Sequence, residues 1–294
     1  MDDTVTDRAR PAVELWDGAT GTWLFARGYP RSEPTALANR THAGLVRDVA
    51  REYAAAGADV LTANSFGGFD ARIAFDAGRA DPAVELAHRA LEFARAGAAD
   101  AKRPVKIALS IPPLELRDVP SNQERFVAWL DAVVPAAPDV ILLETQTSVP
   151  EACFAAGAIR QRVPNAPLFV SFTFSEDGRT LDGQPARTAA QCAIDAGADV
   201  PGANCSFGPD LLRRVVSRMA EAAPRGVLAK PNAGLPRADG TYALGAEEFA
   251  ELAVKLVDEG ARYLGGCCGT TPRATLALRR RLDAREPPGH AAAR

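Results

Sequence analysis

Cysteine is scarce in this chain, positive charge is not in excess, and long apolar runs are missing. Five cysteines in 294 residues, an odd number, do not make the disulfide framework of a small secreted scaffold. The formal net charge is −3, which leaves no electrostatic footprint for nucleic acid. No uncharged stretch approaches the ~18 residues that a membrane span requires. The opening Met1-Asp2-Asp3-Thr4-Val5-Thr6-Asp7-Arg8 lacks the basic-then-apolar order of a signal peptide, so a cytoplasmic protein with no membrane association is expected. With 47% hydrophobic and 24% charged residues, the composition suits a soluble globular protein of one large domain or two small ones.

What is present begins with the adjacent pair Cys267-Cys268, set in Leu-Gly-Gly-Cys-Cys-Gly-Thr-Thr-Pro. Neighbouring strand residues point to opposite faces, so both sulfurs reach one ion only where the backbone leaves the strand. Gly265, Gly266 and Gly269 permit that turn. A third thiol stands upstream in Asn204-Cys205-Ser206. Three thiolates with an open fourth position describe a zinc site that binds substrate, whereas structural zinc sites are closed by four protein ligands. Two other readings stand beside this one. A vicinal disulfide requires a strained ring and an oxidising compartment. Small buried core cysteines are common, and this reading suits Cys153 and Cys192, which lie in Ala-rich helical stretches.

A junction recurs along the chain. Ala56-Gly57-Ala58-Asp59, Ala196-Gly197-Ala198-Asp199 and Glu259-Gly260-Ala261-Arg262 each precede an apolar run. Each Gly suits the left-handed residue that closes a helix, and each run reads as a buried parallel strand. Strands are expected at Val13 to Trp16, Val60 to Ala63, Val105 to Leu109, Val140 to Leu143, Leu168 to Phe172, Val200 to Ala203, Val227 to Ala229 and Arg262 to Gly265. Eight such strands alternating with helices make a single α/β domain, a (β/α)8 TIM-type barrel spanning 11–285, between disordered tails at 1–10 and 286–294. Active sites of such barrels lie at the C-terminal ends of the strands. There stand Asp17, Asn64, Glu144, Cys205, Asn232 and Cys267-Cys268. Asp17 and Glu144 also have a plain reading, as caps of the helices that follow.

Asp17-Gly18-Ala19-Thr20-Gly21-Thr22, Asn64-Ser65-Phe66, Leu143-Glu144-Thr145, Gly178-Arg179-Thr180-Leu181 with Gly183-Gln184, Asn204-Cys205-Ser206, Pro231-Asn232-Ala233-Gly234 and Gly265-Gly266-Cys267-Cys268-Gly269-Thr270 follow one another. In this order the chain resembles the zinc-dependent homocysteine S-methyltransferase family, over about Leu15 to Leu278. Through Gly208-Pro209-Asp210 and Pro231 to Pro236 it looks most like the homocysteine-binding module of cobalamin-dependent methionine synthase. The resemblance implies one zinc held by Cys205, Cys267 and Cys268 as metal ligands and catalytic residues, with homocysteine as methyl acceptor and methionine as product. Asp17 and Glu144 are placed to hold the substrate's ammonium, the turn from Gly18 to Gly21 to offer N–H groups to its carboxylate, and Asn64 and Asn232 to complete the binding site. Asn232 is also available to the fourth zinc position when substrate is absent.

Two departures concern the donor. The chain reads Ser110-Ile111-Pro112-Pro113 where the family commonly has Ser-Ile-Gly-Pro and a longer loop, and Arg273-Ala274 where a His-Ile pair is frequent. No corrinoid, folate or S-adenosylmethionine module is expected beside the barrel. The expected donor is a methyl-corrinoid carried by a separate protein, or a small sulfonium such as S-methylmethionine. A barrel acting on a different thiol, or a non-catalytic zinc- or thiol-binding relative, are the alternatives. Arg279-Arg280-Arg281 reads as a solvated helix end.

Overall fold

A computed structural model of the chain describes residues 12–69, 82–114 and 120–285. The tails expected to be disordered lie outside the described residues, as does part of the shortened loop that follows the third strand. The elements alternate as the apolar runs predict: β1 (Glu14–Leu15), α1 (Thr20–Ala26), α2 (Ala38–Thr41), α3 (Ala43–Ala55), β2 (Val60–Thr62), α4 (Pro82–Ala98), β3 (Lys106–Ile111), α5 (Pro120–Val133) and β4 (Val140–Gln146). Then come α6 (Val149–Arg162), β5 (Leu168–Phe172), α7 (Ala186–Asp195), β6 (Val200–Asn204), α8 (Pro209–Ala220), β7 (Val227–Lys230), α9 (Ala246–Ala253), β8 (Ala261–Leu264) and α10 (Pro272–Asp283).

The eight strands form one parallel sheet in the order β1-β8-β7-β6-β5-β4-β3-β2, and a bridge between Trp16 and Val60 closes it. The fold is therefore a (β/α)8 barrel. The junction glycines behave as their sequence requires: Gly57, Gly197 and Gly260 have φ of +96°, +106° and +108°, conformations that a Cβ would strain. β1 is shorter than expected, ending at Leu15. β4 runs past Leu143 to Gln146 through a register shift against β5.

Side chains alternate between two cores. Residues facing the helices form the larger cluster. A second cluster fills the barrel: Trp16, Val60, Ala108, Val140, Leu142, Phe169, Val200 and Leu228. Trp16 and Phe169 touch with ring centroids 5.0 Å apart. Truncating a ring such as Phe169 to Ala in so closed a layer costs about 3–5 kcal/mol. Further along the same inward parity stand Thr62, Ser110, Glu144, Ser171 and Lys230, each two residues on, and Asn204, four residues beyond Val200. The apolar plug thus gives way to a polar layer under the C-terminal rim.

The opposite rim is fastened differently. Asp59, Asp139 and Asp199 each stand one residue before β2, β4 and β6 and accept an N–H from the first or second residue of the neighbouring strand. Leu15 N donates to Asp59 at 2.8 Å, Ile107 N to Asp139 at 2.8 Å and Leu168 N to Asp199 at 3.0 Å. Arg279, expected in solvent, is buried here: its guanidinium donates twice to the Gly57 carbonyl at 3.1 and 2.9 Å and pairs with Asp59. The reason is tertiary, because α10 packs against α3 and brings Arg279 over the α3–β2 junction.

Candidate metal and substrate site

Cys205 follows the last residue of β6 and has a φ of +53°. A non-glycine residue in this region is strained and is held there by its surroundings. The turn throws its sulfur across the mouth toward β8. After β8 the chain passes Gly265 and Gly266 into the double cysteine, and neighbouring loops pin this segment. Cys267 N donates to Pro231 O at 2.8 Å, Ala233 N to Cys268 O at 2.9 Å, and Thr270 Oγ1 to Cys267 O at 2.7 Å. Gly269 has a φ of +81°, and a Cβ there would stand 2.1 Å from the Tyr242 ring. The glycine both makes the turn and admits the tyrosine beside Cys268.

The outcome is a cluster in which the three sulfurs lie within 4.8 Å of one another, with Cys205 Sγ 3.5 Å from Cys268 Sγ. Tetrahedral zinc with Zn–S of about 2.3 Å spaces its sulfurs about 3.8 Å apart, so the cluster fits such an ion. Asn232 Oδ1 is buried without a hydrogen-bond partner, an oxygen of the kind that costs free energy unless something binds it. The thiols point the same way. Hydrogen bonds from Cys205 and Cys267 pull Cys268 down to about 3, against burial. Cys267 is pulled down by its bond with Cys205, but its bond to Cys268 and its burial hold it up at about 12. Bonds to the other two sulfurs, then burial, push Cys205 up as well. Two thiols thus share their protons with one thiolate, and a dication is the natural replacement for those protons. Among the described residues no other group of three or more His, Cys, Asp or Glu side chains could hold a metal ion. Cys153 and Cys192 lie apart, joined by a bond from Cys153 Sγ to the Cys192 carbonyl at 3.3 Å.

Beside the sulfurs lies a buried charge cluster. Lys230, at the end of β7, places Nζ 3.1 Å from Asp17 Oδ1, 3.6 Å from Glu144 Oε1 and 3.0 Å from Thr62 Oγ1. Asp17 also accepts from Thr62 N at 2.6 Å and Thr62 Oγ1 at 2.8 Å; Glu144 accepts from Ser110 Oγ at 2.7 Å. Burial pushes the Glu144 carboxyl up, and the Lys230 ammonium opposes that. Burial pulls Lys230 down, yet Asp17, Glu144 and Cys267 together hold it above the ordinary lysine value. Asn204 ties this cluster to the sulfurs. It accepts from Ser171 Oγ at 2.6 Å and Thr145 N at 3.0 Å, and donates to Thr145 Oγ1 at 2.7 Å and Cys267 Sγ at 3.8 Å. Thr145 is itself left-handed, with φ +58°, at the β4 register shift next to Glu144.

The structure thus gathers Cys205, Cys267 and Cys268 into one cluster and Asp17 and Glu144 into another. Neither carboxylate caps a helix: α1 starts from Ala19 and α6 from Ser148. Of the Gly18–Gly21 turn, Ala19 N is taken by Thr270 Oγ1 at 3.1 Å, and Thr20 and Gly21 are the first two residues of α1, where N–H groups have no intrahelical partner. Asn64 spends its side-chain N–H groups on Thr35 O at 2.8 Å and Asn39 Oδ1 at 3.0 Å, which fixes the loop after β2. Sequence reasoning missed Lys230, Asn204 and Ser110. Strand parity carried the signal for all three, since Ser110 and Lys230 lie two residues beyond the inward Ala108 and Leu228 and Asn204 lies four beyond Val200.

A family model described as homocysteine S-methyltransferase matches residues 14–282. Methionine synthase of Mycobacterium tuberculosis (strain ATCC 25618 / H37Rv) is 28% identical over 294 residues, 92% of this chain and 25% of its own length. That of Mycobacterium leprae (strain TN) is 30% identical over 284 residues, 88% of this chain and 23% of its own. The chain therefore spans about a quarter of these relatives. The metallated form of the homocysteine methyltransferase MmuM from Escherichia coli superposes with a TM-score of 0.74 at 24% identity, over 94% of this chain and 97% of that one, a likeness of fold. Among the described residues, no helix is long and apolar enough to cross a membrane.

Proposed function

Because the chain belongs to the homocysteine S-methyltransferase family, we propose that it moves a methyl group onto the sulfur of homocysteine, giving methionine, at a zinc ion held by Cys205, Cys267 and Cys268. The observation that carries this reading is the meeting of three sulfurs within 4.8 Å with a buried orphan oxygen on Asn232. A free thiol near pKa 8.5 is only a few per cent thiolate at neutral pH. Zinc, when bound, supplies the charge that strips the proton from the substrate's thiol while leaving the sulfur nucleophilic.

The chain's own residues do the rest. Three cysteines leave one coordination position for substrate or, in its absence, Asn232. Asp17 and Glu144 give the mouth the negative charge that an amino acid's ammonium seeks, and Gly18 lies beside them at the end of β1. Holding the ammonium orients the sulfur for in-line attack. The donor is a methyl-corrinoid on a separate protein or a small sulfonium such as S-methylmethionine. The five free thiols suit the reducing cytoplasm.

The test offers homocysteine to the zinc-loaded protein with S-methylmethionine, S-adenosylmethionine, betaine and methylcobalamin in parallel, following methionine by mass spectrometry. Methionine from one donor identifies the reaction. No methionine from any donor, with zinc at one per chain, would sink it.

A further inference from the structure

A lysine in the polar layer is unexpected, because two carboxylates aimed at a substrate's ammonium already have an ammonium. We propose that Lys230 is a positioning residue that divides the two carboxylates between them: it removes Asp17 from substrate recognition and leaves Glu144 as the single acceptor for the ammonium of homocysteine. The inference deepens the function proposed above and rests on homocysteine being the acceptor.

The hydrogen-bond inventory argues it. Asp17 takes three bonds, two from Thr62 and one from Lys230, and its side chain is 2% exposed. Glu144 takes one, from Ser110 to Oε2. Its Oε1 is 3.6 Å from Nζ, beyond hydrogen-bond reach, and its side chain is 12% exposed. A carboxylate offers about four lone-pair sites, and among the described residues Oε1 of Glu144 is the one oxygen of the two carboxylates left without a hydrogen bond. Asp17 keeps at most one free site, on a side chain that is 2% exposed, and already has an ammonium in Lys230 Nζ.

The charge count agrees. Two carboxylates and one ammonium leave a net charge of −1, the complement of a single incoming ammonium. Without Lys230, two carboxylates buried in one site would share a proton, and Glu144 would lose its charge for part of the time. Lys230 is held in place to prevent this: it is 2% exposed, lies across from Asn204 in the β6–β7 register, and sits 5.6 Å over the Trp16 ring.

The experiment compares dissociation constants for homocysteine and for 2-mercaptoethanol, which lacks the amino group, on zinc-loaded wild type, Lys230→Met and the pair variant Asp17→Asn/Lys230→Met, with zinc content measured for each. Lys230→Met should weaken homocysteine binding about 10-fold or more and leave 2-mercaptoethanol unchanged. The pair variant removes the ion pair as a unit and should restore homocysteine affinity to within about 3-fold of wild type. A pair variant that binds homocysteine as poorly as Lys230→Met, or that no longer holds one zinc, overturns the proposal. If Lys230→Met alone fails to fold, the pair variant still decides. Wild type that does not distinguish the two thiols would instead refute the acceptor reading, so the two failures are separable.

Discussion

Carboxylates stand at both ends of the barrel, and their surroundings differ. At the N-terminal end Asp59, Asp139 and Asp199 accept strand N–H groups, and Asp59 and Asp199 also face arginines at the edge of solvent. At the C-terminal end Asp17 and Glu144 are almost wholly covered and share one lysine. Charges that keep some hydration while fastening backbone contribute to stability. Charges taken fully out of water cost several kcal/mol each before any attraction is counted. The first rim therefore holds the barrel together, and the second carries charge that the fold could do without, as a binding site for a charged ligand requires.

Substitutions on the two rims should separate stability from chemistry, and the largest effect belongs to the sulfurs. Cys268→Ala should abolish zinc binding and methyl transfer together, while the unfolding of the metal-free protein barely changes. Metal analysis that finds full zinc in a variant lacking all three cysteines would remove the assignment. Next comes Asp59→Ala, which takes from the buried Arg279 its nearer carboxylate, leaving the 3.5 Å contact to Asp283, and leaves Leu15 N without an acceptor. Its expected cost is about 3–5 kcal/mol in denaturant unfolding, with homocysteine affinity unaltered. A shift in affinity instead would break the division between the rims.

Glu144→Gln is the counterpart at the upper rim. Losing a charge-assisted bond of about 1.5–3 kcal/mol should weaken homocysteine roughly 10- to 150-fold, with zinc content and the binding of an amino-free thiol unchanged. Intact affinity would make the residue structural and leave the amino-acid preference without its main support. The smallest effect is in pH. Burial first of all raises the Glu144 carboxyl, against the opposing Lys230, and it is the ionised form that binds an ammonium. The preference for homocysteine over the amino-free thiol should therefore be full above that raised pKa and fade as pH falls through it. The fading should begin above the ordinary glutamate value of about 4.3. Affinity ratios measured across pH would refute this if they fade only below that value.

Local signals explain which parts were legible in advance. Gly57, Gly197 and Gly260 mark helix-to-strand junctions through their own backbone conformation, and Cys267-Cys268 announces a turn through the glycines beside it. Both are statements about a few consecutive residues. The strand runs were legible for the same reason, although the β4 extension was not, because the left-handed Thr145 is held by Asn204 from a different strand. Arg279 read as solvated, since its three-arginine run looks like a helix surface; only the docking of α10 shows that Gly57 and Asp59 lie beneath it.

What the chain determines by itself, then, is the alternation of helices and strands, the closed parallel barrel and the three sulfurs, because each is written in short-range pattern or in a residue type with few uses. The tertiary structure decided the rest: which strand ends face one another, and so that Lys230 from β7 meets Asp17 from β1 and Glu144 from β4. A lysine's charge means little until the burial of its neighbours is known, for the interaction of charges depends on the water excluded between them. That exclusion exists only once the barrel has closed.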